Sequence, residues 1–185
     1  GIFPRLRIAH LPGEFIDRLR VLAATDASDW PRALHWGRVG LSVFGLEWPL
    51  EGLAGAIEAE TAAIMKNLGG RRIDDLIHEP DVEDEDIRAS MRLLSLLGAP
   101  AYFSGAEVIT FLFARAVNIS LMHGPSPYSA FAFVLYGGIH NALTGQYDVG
   151  YAFVKLALAL ARRFGNRAEE CKTLEVYGVL VHHWM

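Results

Sequence analysis

Apolar residues recur at three- and four-residue spacing along most of the chain, and the strict alternation of a half-buried strand is nearly absent. The clearest stripe runs from Tyr147 to Phe164, where Val149, Phe153, Leu156, Ala157 and Leu160 fall on one face. Gly165 follows as a stop, and Arg162 and Arg163 suit the negative end of the helix dipole. Upstream, Ser126-Pro127-Tyr128 predicts a capped helix start running to about Leu143, and Thr144-Gly145 makes the turn. Ala106 to His123 predicts another helix ending at Gly124, preceded by one from about Asp84 to Phe103 that Gly98 and Pro100 bend. The N-terminal part predicts helices over 14–24, 30–44 closed by Gly45, and 50–68 closed by Gly69-Gly70. A short turn, Ile73 to Ile77, and a loop, His78 to Val82, follow, and the acidic group Glu83 to Asp86 marks the entry of the next helix.

The segments match one another at a fixed offset. Gly165 follows Gly124 by about 41 residues, and Tyr177-Gly178 follows Tyr136-Gly137 by the same interval, as stacked helix pairs require. Gly145-Gln146-Tyr147 has a looser counterpart in Ser28-Asp29-Trp30, a polar turn before an aromatic that fills the gap between paired helices. The expected fold is all-α: stacked antiparallel helix pairs forming an α-solenoid with a period of about 40. Residues 1–78 read as N-terminal repeats, and 79–185 as two further pairs, the last incomplete, in one continuous array cut from a larger protein.

Composition narrows the function. Hydrophobic residues make up 52% of the 185 and charged residues 21%, so much of the chain is expected to be buried. A formal charge of -4 gives little electrostatic support for a nucleic-acid partner. The single cysteine, Cys171, has no internal disulfide partner, and a cytoplasmic location is the expectation. The apolar stretch Ser129 to Leu143 is shorter than the roughly 20 residues of a spanning helix, so it reads as a buried helix, with a membrane span as the minor alternative.

Candidate chemistry is sparse. The acidic run Glu79 to Asp86 lacks the glycine turn and distal glutamate of a calcium loop and reads as a solvated helix start. No His-Glu-x-x-His occurs, and His182 and His183 are adjacent, pointing to different sides of a helix. Gly69-Gly70 and Gly137-Gly138 lack the spaced glycines and Lys-Ser or Lys-Thr of a phosphate loop, and Gly137-Gly138 inside a helix predicts close helix packing. No Gly-x-Ser-x-Gly occurs, Asp74-Asp75 and Glu169-Glu170 read as surface carboxylates, and Cys171 reads as a small packing residue. No cofactor or metal is expected.

Three runs carry a family resemblance: Arg92-Leu-Leu-Ser-Leu-Leu-Gly-Ala-Pro-Ala-Tyr-Phe103, Val117-Asn-Ile-Ser-Leu-Met-His-Gly124 and Ser126-Pro-Tyr-Ser-Ala-Phe-Ala-Phe-Val-Leu-Tyr-Gly137. With Gly145-Gln-Tyr-Asp-Val-Gly-Tyr-Ala-Phe153 and Val176-Tyr-Gly178 continuing the order, the stretch from about Ala33 to Trp184 resembles the tetratricopeptide-like region of large bacterial sensor kinases. The resemblance implies a parent with a Ser/Thr-kinase-like domain, an AAA or STAND-type ATPase, the helical repeats, a GAF sensor and a histidine kinase or other output domain. No ATPase or kinase motif lies in this segment, so it implies scaffold status alone.

The expected function is therefore a non-catalytic scaffold whose partners are proteins, peptides or neighbouring domains of the same chain. Its first helices are expected to line a groove carrying Tyr128, Tyr136, His140, Asn141 and Tyr177. A small helical bundle binding a ligand or metal through His140 and His182 is the alternative.

Overall fold

A computed structural model describes residues 13–182, and every regular element among them is helical. The chain runs α1 (Gly13–Asp26), α2 (Trp30–Val43), α3 (Leu53–Leu68), a 3-10 turn (Ile73–His78), α4 (Glu85–Leu96), α5 (Gly98–Ser104), α6 (Ala106–His123), α7 (Ser129–Thr144), α8 (Tyr147–Phe164), α9 (Arg167–Val176) and a π turn (Tyr177–Val181). The all-α class expected from the apolar spacing is the observed one.

Local chemistry sets the boundaries. Asp29 caps α2 by accepting from the Arg32 amide at 3.2 Å, and Asp84 caps α4 by accepting from the amides of Asp86 and Ile87 at 2.8 and 3.1 Å. Helices α3, α7 and α8 end at Gly69, Gly145 and Gly165, each left-handed. The expected bend in the 84–103 helix is a full break at Leu97. Gly98 is required there because a methyl group in its place would sit 2.6 Å from the ring of Phe131.

One start differs from expectation. Ser126-Pro127-Tyr128 forms a non-helical turn, and α7 begins at Ser129. Ser126 is buried, its hydroxyl accepts from the Tyr128 amide, and the hydroxyls of Ser120, Ser126 and Ser129 form one chain with contacts of 2.8 and 3.2 Å. Buried hydroxyls satisfied by each other hold the segment in that turn.

Helices α6 and α7 form the centre. On α7 every residue from Ser129 to Gly138 is buried, which a helix covered on one face cannot achieve. It packs against α4, α6, α8, α9 and the π turn. A single apolar cluster extends from Val21 to Val181, passing through Ile64, Leu94, Phe113, Val134 and Leu160. Helices α1–α2 and α7–α8 are sequential hairpins, whereas α3 packs on α6 and the 3-10 turn on α8.

The positions matched at the interval of about 41 residues do not share surroundings. Gly137 lies in the α7–α8 contact, where an added methyl would sit 2.6 Å from the Gly150 carbonyl oxygen, while Gly178 has open space at the same point. The Gly165 cap is left-handed with φ 61°, and Gly124 has φ 92° and ψ 163°.

Among the described residues one helix, Ala106–His123, is long and apolar enough to cross a membrane, and 61% of it is buried inside the fold. It is the core helix α6 rather than the Ser129 to Leu143 segment.

Candidate functional site

The five residues of the predicted groove fall in three places. Tyr128, half-buried, stands at the entry of α7 and lines a surface cleft. Tyr136 and Asn141, 6% and 4% exposed, lie in the α7–α8 contact. His140 is half-buried with its ring centroid 5.8 Å from that of Tyr136, and Tyr177, in the π turn, lies 5.8 Å from His182.

The Tyr136–Asn141 group owes its form to two glycines. Gly137 of α7 and Gly150 of α8 let the helices meet so closely that a methyl at Gly150 would fall 1.8 Å from Asn141 Oδ1 and 2.6 Å from the Gly137 carbonyl oxygen. Asn141 Oδ1 is buried without a conventional donor, and the Cα–H of Gly150 is the group that faces it. Burial pushes the Tyr136 hydroxyl above its ordinary range. It holds the His140 imidazole below its ordinary range, and the hydrogen-bonding Gln146 side chain offsets part of that effect. The group is a packed helix crossing with two neutral-favouring titratable side chains.

The cleft at Tyr128 has a different character. It encloses about 260 Å³ between α1, the end of α2, α4 and the entry of α7. Phe15, Phe44, Leu93 and Tyr128 give it apolar walls, and Arg18, Arg88, Arg92, Glu85 and Asp86 bring charges of both signs. Arg88 is engaged, donating to Glu85 at 2.8 Å and to the Val82 carbonyl at 2.7 Å. The Arg18 guanidinium lies 4.7 Å from the centre of the Phe15 ring. Phe15, Phe44 and Arg92 lie far apart in the chain, at α1, the end of α2 and α4, so nothing in their linear pattern points to their convergence.

Elsewhere the polar side chains join helices. Glu169 is buried, against the expectation that it lies on the surface. Its carboxylate accepts from Ser95 and Lys172 at 2.8 Å each, and Lys172 also donates to Ser95 at 2.9 Å. Glu60 of α3 accepts from Arg115 and Asn118 of α6 at 2.7 Å each, and Asn118 in turn accepts from Asn67 at 3.0 Å. The acidic run Glu79 to Asp86 is divided between tasks: Glu79 pairs with Arg71, Asp81 with Arg163, and Asp84 caps α4. Cys171 is exposed, contrary to the packing role expected of it. Among the described residues no three His, Cys, Asp or Glu side chains gather as a metal site would need.

Two exposed aromatic side chains meet at one further point. The ring of Phe103, 61% exposed, stacks on Trp30 at 4.8 Å, and Tyr102, 62% exposed, meets Phe103 edge-on at 5.3 Å. Comparison with protein-family models, with curated proteins and with solved structures returns no match for the chain.

Proposed function

We propose that the chain is a non-catalytic helical scaffold, acting in the cytoplasm as the tetratricopeptide-like segment of a bacterial signalling protein that carries ATPase and kinase domains. The observation that carries the reading is the Trp30–Phe103–Tyr102 cluster. Two large aromatic side chains that are more than half exposed meet edge-on, one of them stacked on a third, and form an apolar surface of the kind protein contacts favour. Its partner is a protein, a peptide or a neighbouring domain of the same chain. The family resemblance over residues 33–184 supplies the signalling context, and the engagement of Glu169, Glu60, Arg71 and Arg163 in ties between elements agrees with a structural role.

The test uses the full-length parent protein. Replacing Tyr102 and Phe103 by serine should change its phosphotransfer output several-fold while helix content stays the same. Unchanged output, or flanking sequence with neither a nucleotide-binding loop upstream nor a kinase segment downstream, overturns the reading.

A further inference from the structure

The cleft between α1 and α4 carries two charges with no partner among the described residues. Arg92 makes no hydrogen bond or ion pair, and neither does the carboxylate of Asp86, whereas Glu85 and Arg88 neutralise each other at 2.8 Å. Arg92 and Asp86 do not pair with one another. They are six residues apart on α4, about 9 Å along the helix axis, and both are exposed to solvent at the cleft. Phe15, Phe44 and Tyr128 line the same cleft.

The charge pattern selects among ligands. A phosphate or other dianion wants several free cations and meets repulsion from Asp86. A simple cation meets the arginines. A neutral apolar molecule leaves both charges unused. A molecule with one carboxylate, one ammonium and an apolar body answers every part of the lining. The volume of about 260 Å³ is just below the range of pockets that hold drug-sized ligands, which sets the size as that of a single small metabolite.

We propose that this cleft binds a free α-amino acid with an aromatic or large apolar side chain. Its carboxylate rests on the planar fork of Arg92, its ammonium on Asp86, and its side chain among Phe15, Phe44 and Tyr128. Tyr128 is pre-set for that role, because its backbone amide is tied to the Ser126 hydroxyl at 3.2 Å in the turn before α7. The proposal goes beyond the scaffold reading and stands without it, since amino-acid binding is measured on this chain alone.

The experiment is a titration of the purified chain with phenylalanine, followed by calorimetry and by amide chemical shifts. Three relatives of the ligand are titrated beside it: 3-phenylpropionate, which lacks the ammonium; phenethylamine, which lacks the carboxylate; and glycylphenylalanine, in which the ammonium is displaced. Phenylalanine is expected to shift the amides of α1 and α4 and to bind at least about tenfold more tightly than each relative. Arg92→Gln should weaken phenylalanine by about tenfold and leave phenethylamine unchanged, and Asp86→Asn should weaken phenylalanine and leave 3-phenylpropionate unchanged. The proposal is overturned if phenylalanine moves no cleft signal at about 10 mM, far above a useful affinity. It is equally overturned if the four ligands bind alike, if glycylphenylalanine binds tightest, or if both variants retain full affinity. The ligand series needs no substitution, so it decides the matter even where a variant folds poorly.

Discussion

Gly137 and Gly150 show how much of this molecule hangs on the absence of a side chain. Each is the point where α7 and α8 come into backbone contact, and a Cβ on Gly150 would meet Asn141 Oδ1 at 1.8 Å. That atom belongs to a buried residue with no room to retreat, so Gly150→Ala should destabilise the fold by about 3 kcal/mol and lower its melting midpoint by about 10 °C. Gly178→Ala, whose methyl meets nothing, should change stability by less than about 1 kcal/mol, as thermal unfolding of the pair will show. If Gly137 and Gly178 were equivalent positions of a repeat, their alanine variants would cost the same. His140 supplies a second residue-scale expectation. Burial holds its folded-state pKa below the usual value, so the unfolded chain takes up a proton at a higher pH than the folded one does. The stability it contributes is therefore present above the unfolded-state histidine pKa and is lost as pH falls through that value toward the folded-state one. Melting curves at neutral and mildly acidic pH should show this acid loss in the native chain and a smaller loss in His140→Gln. An equal loss in both would remove His140 from the account.

The elements themselves were largely legible in the sequence, because helix signals are local. Asp84 before Glu85 and Asp86, or Gly165 after Arg162 and Arg163, places an end within a residue or two of where it falls. Ser126-Pro127 misled because its serine hydroxyl bonds to neighbouring serines and the Tyr128 amide, a choice made by the packing of α6 against α7 rather than by local preference. What the sequence could not show is which helices meet. Arg71 illustrates the point: it sits after Gly69-Gly70 as an apparent linker residue, yet its guanidinium donates to the carbonyls of Asn67 at 2.6 Å and Leu121 at 3.0 Å and also pairs with Glu79. It fastens the end of α3 to the end of α6. A planar fork with several donors does this and a single ammonium does not, so Arg71→Lys should lose nearly as much stability as Arg71→Ala, about 2 kcal/mol in either case. Denaturant unfolding of the two variants tests it, and full rescue by lysine would show that charge alone matters. Glu169 was missed for the same reason, since a carboxylate on a polar-looking stretch of α9 gives no sign that Ser95 of α4 will cover it.

At the scale of the whole molecule, the ties decide how far the helix pairs depend on each other. In an array where each pair meets only its neighbours, the last pair can be removed and the rest stays folded. Here the C-terminal elements reach back across the chain. Arg163 of α8 donates to the Ile77 carbonyl at 2.8 Å and pairs with Asp81, Lys155 lies 3.4 Å from Asp74, and Glu169 and Lys172 of α9 hold Ser95 of α4. Phe133 stacks on Phe153 at 5.8 Å, and Tyr136 meets the same ring edge-on at 5.2 Å, so α7 depends on α8 for its apolar cover. Removing α8 and α9 would lay open the face of α7 that carries Phe133 and Tyr136 and would cut the 3-10 turn from its anchor. A chain ending at Thr144 should therefore lose cooperative unfolding and bind a hydrophobic dye strongly, whereas the intact chain unfolds in one transition with little dye bound. Calorimetry and dye fluorescence on the two lengths separate the possibilities. A truncated chain that still melts sharply would mean that the contacts made by α8 and α9 are accessory and that α1 to α7 hold themselves together. The expected collapse would place the stability of the molecule in the core around α6 and α7, with the pairs closing on that core from both ends of the sequence.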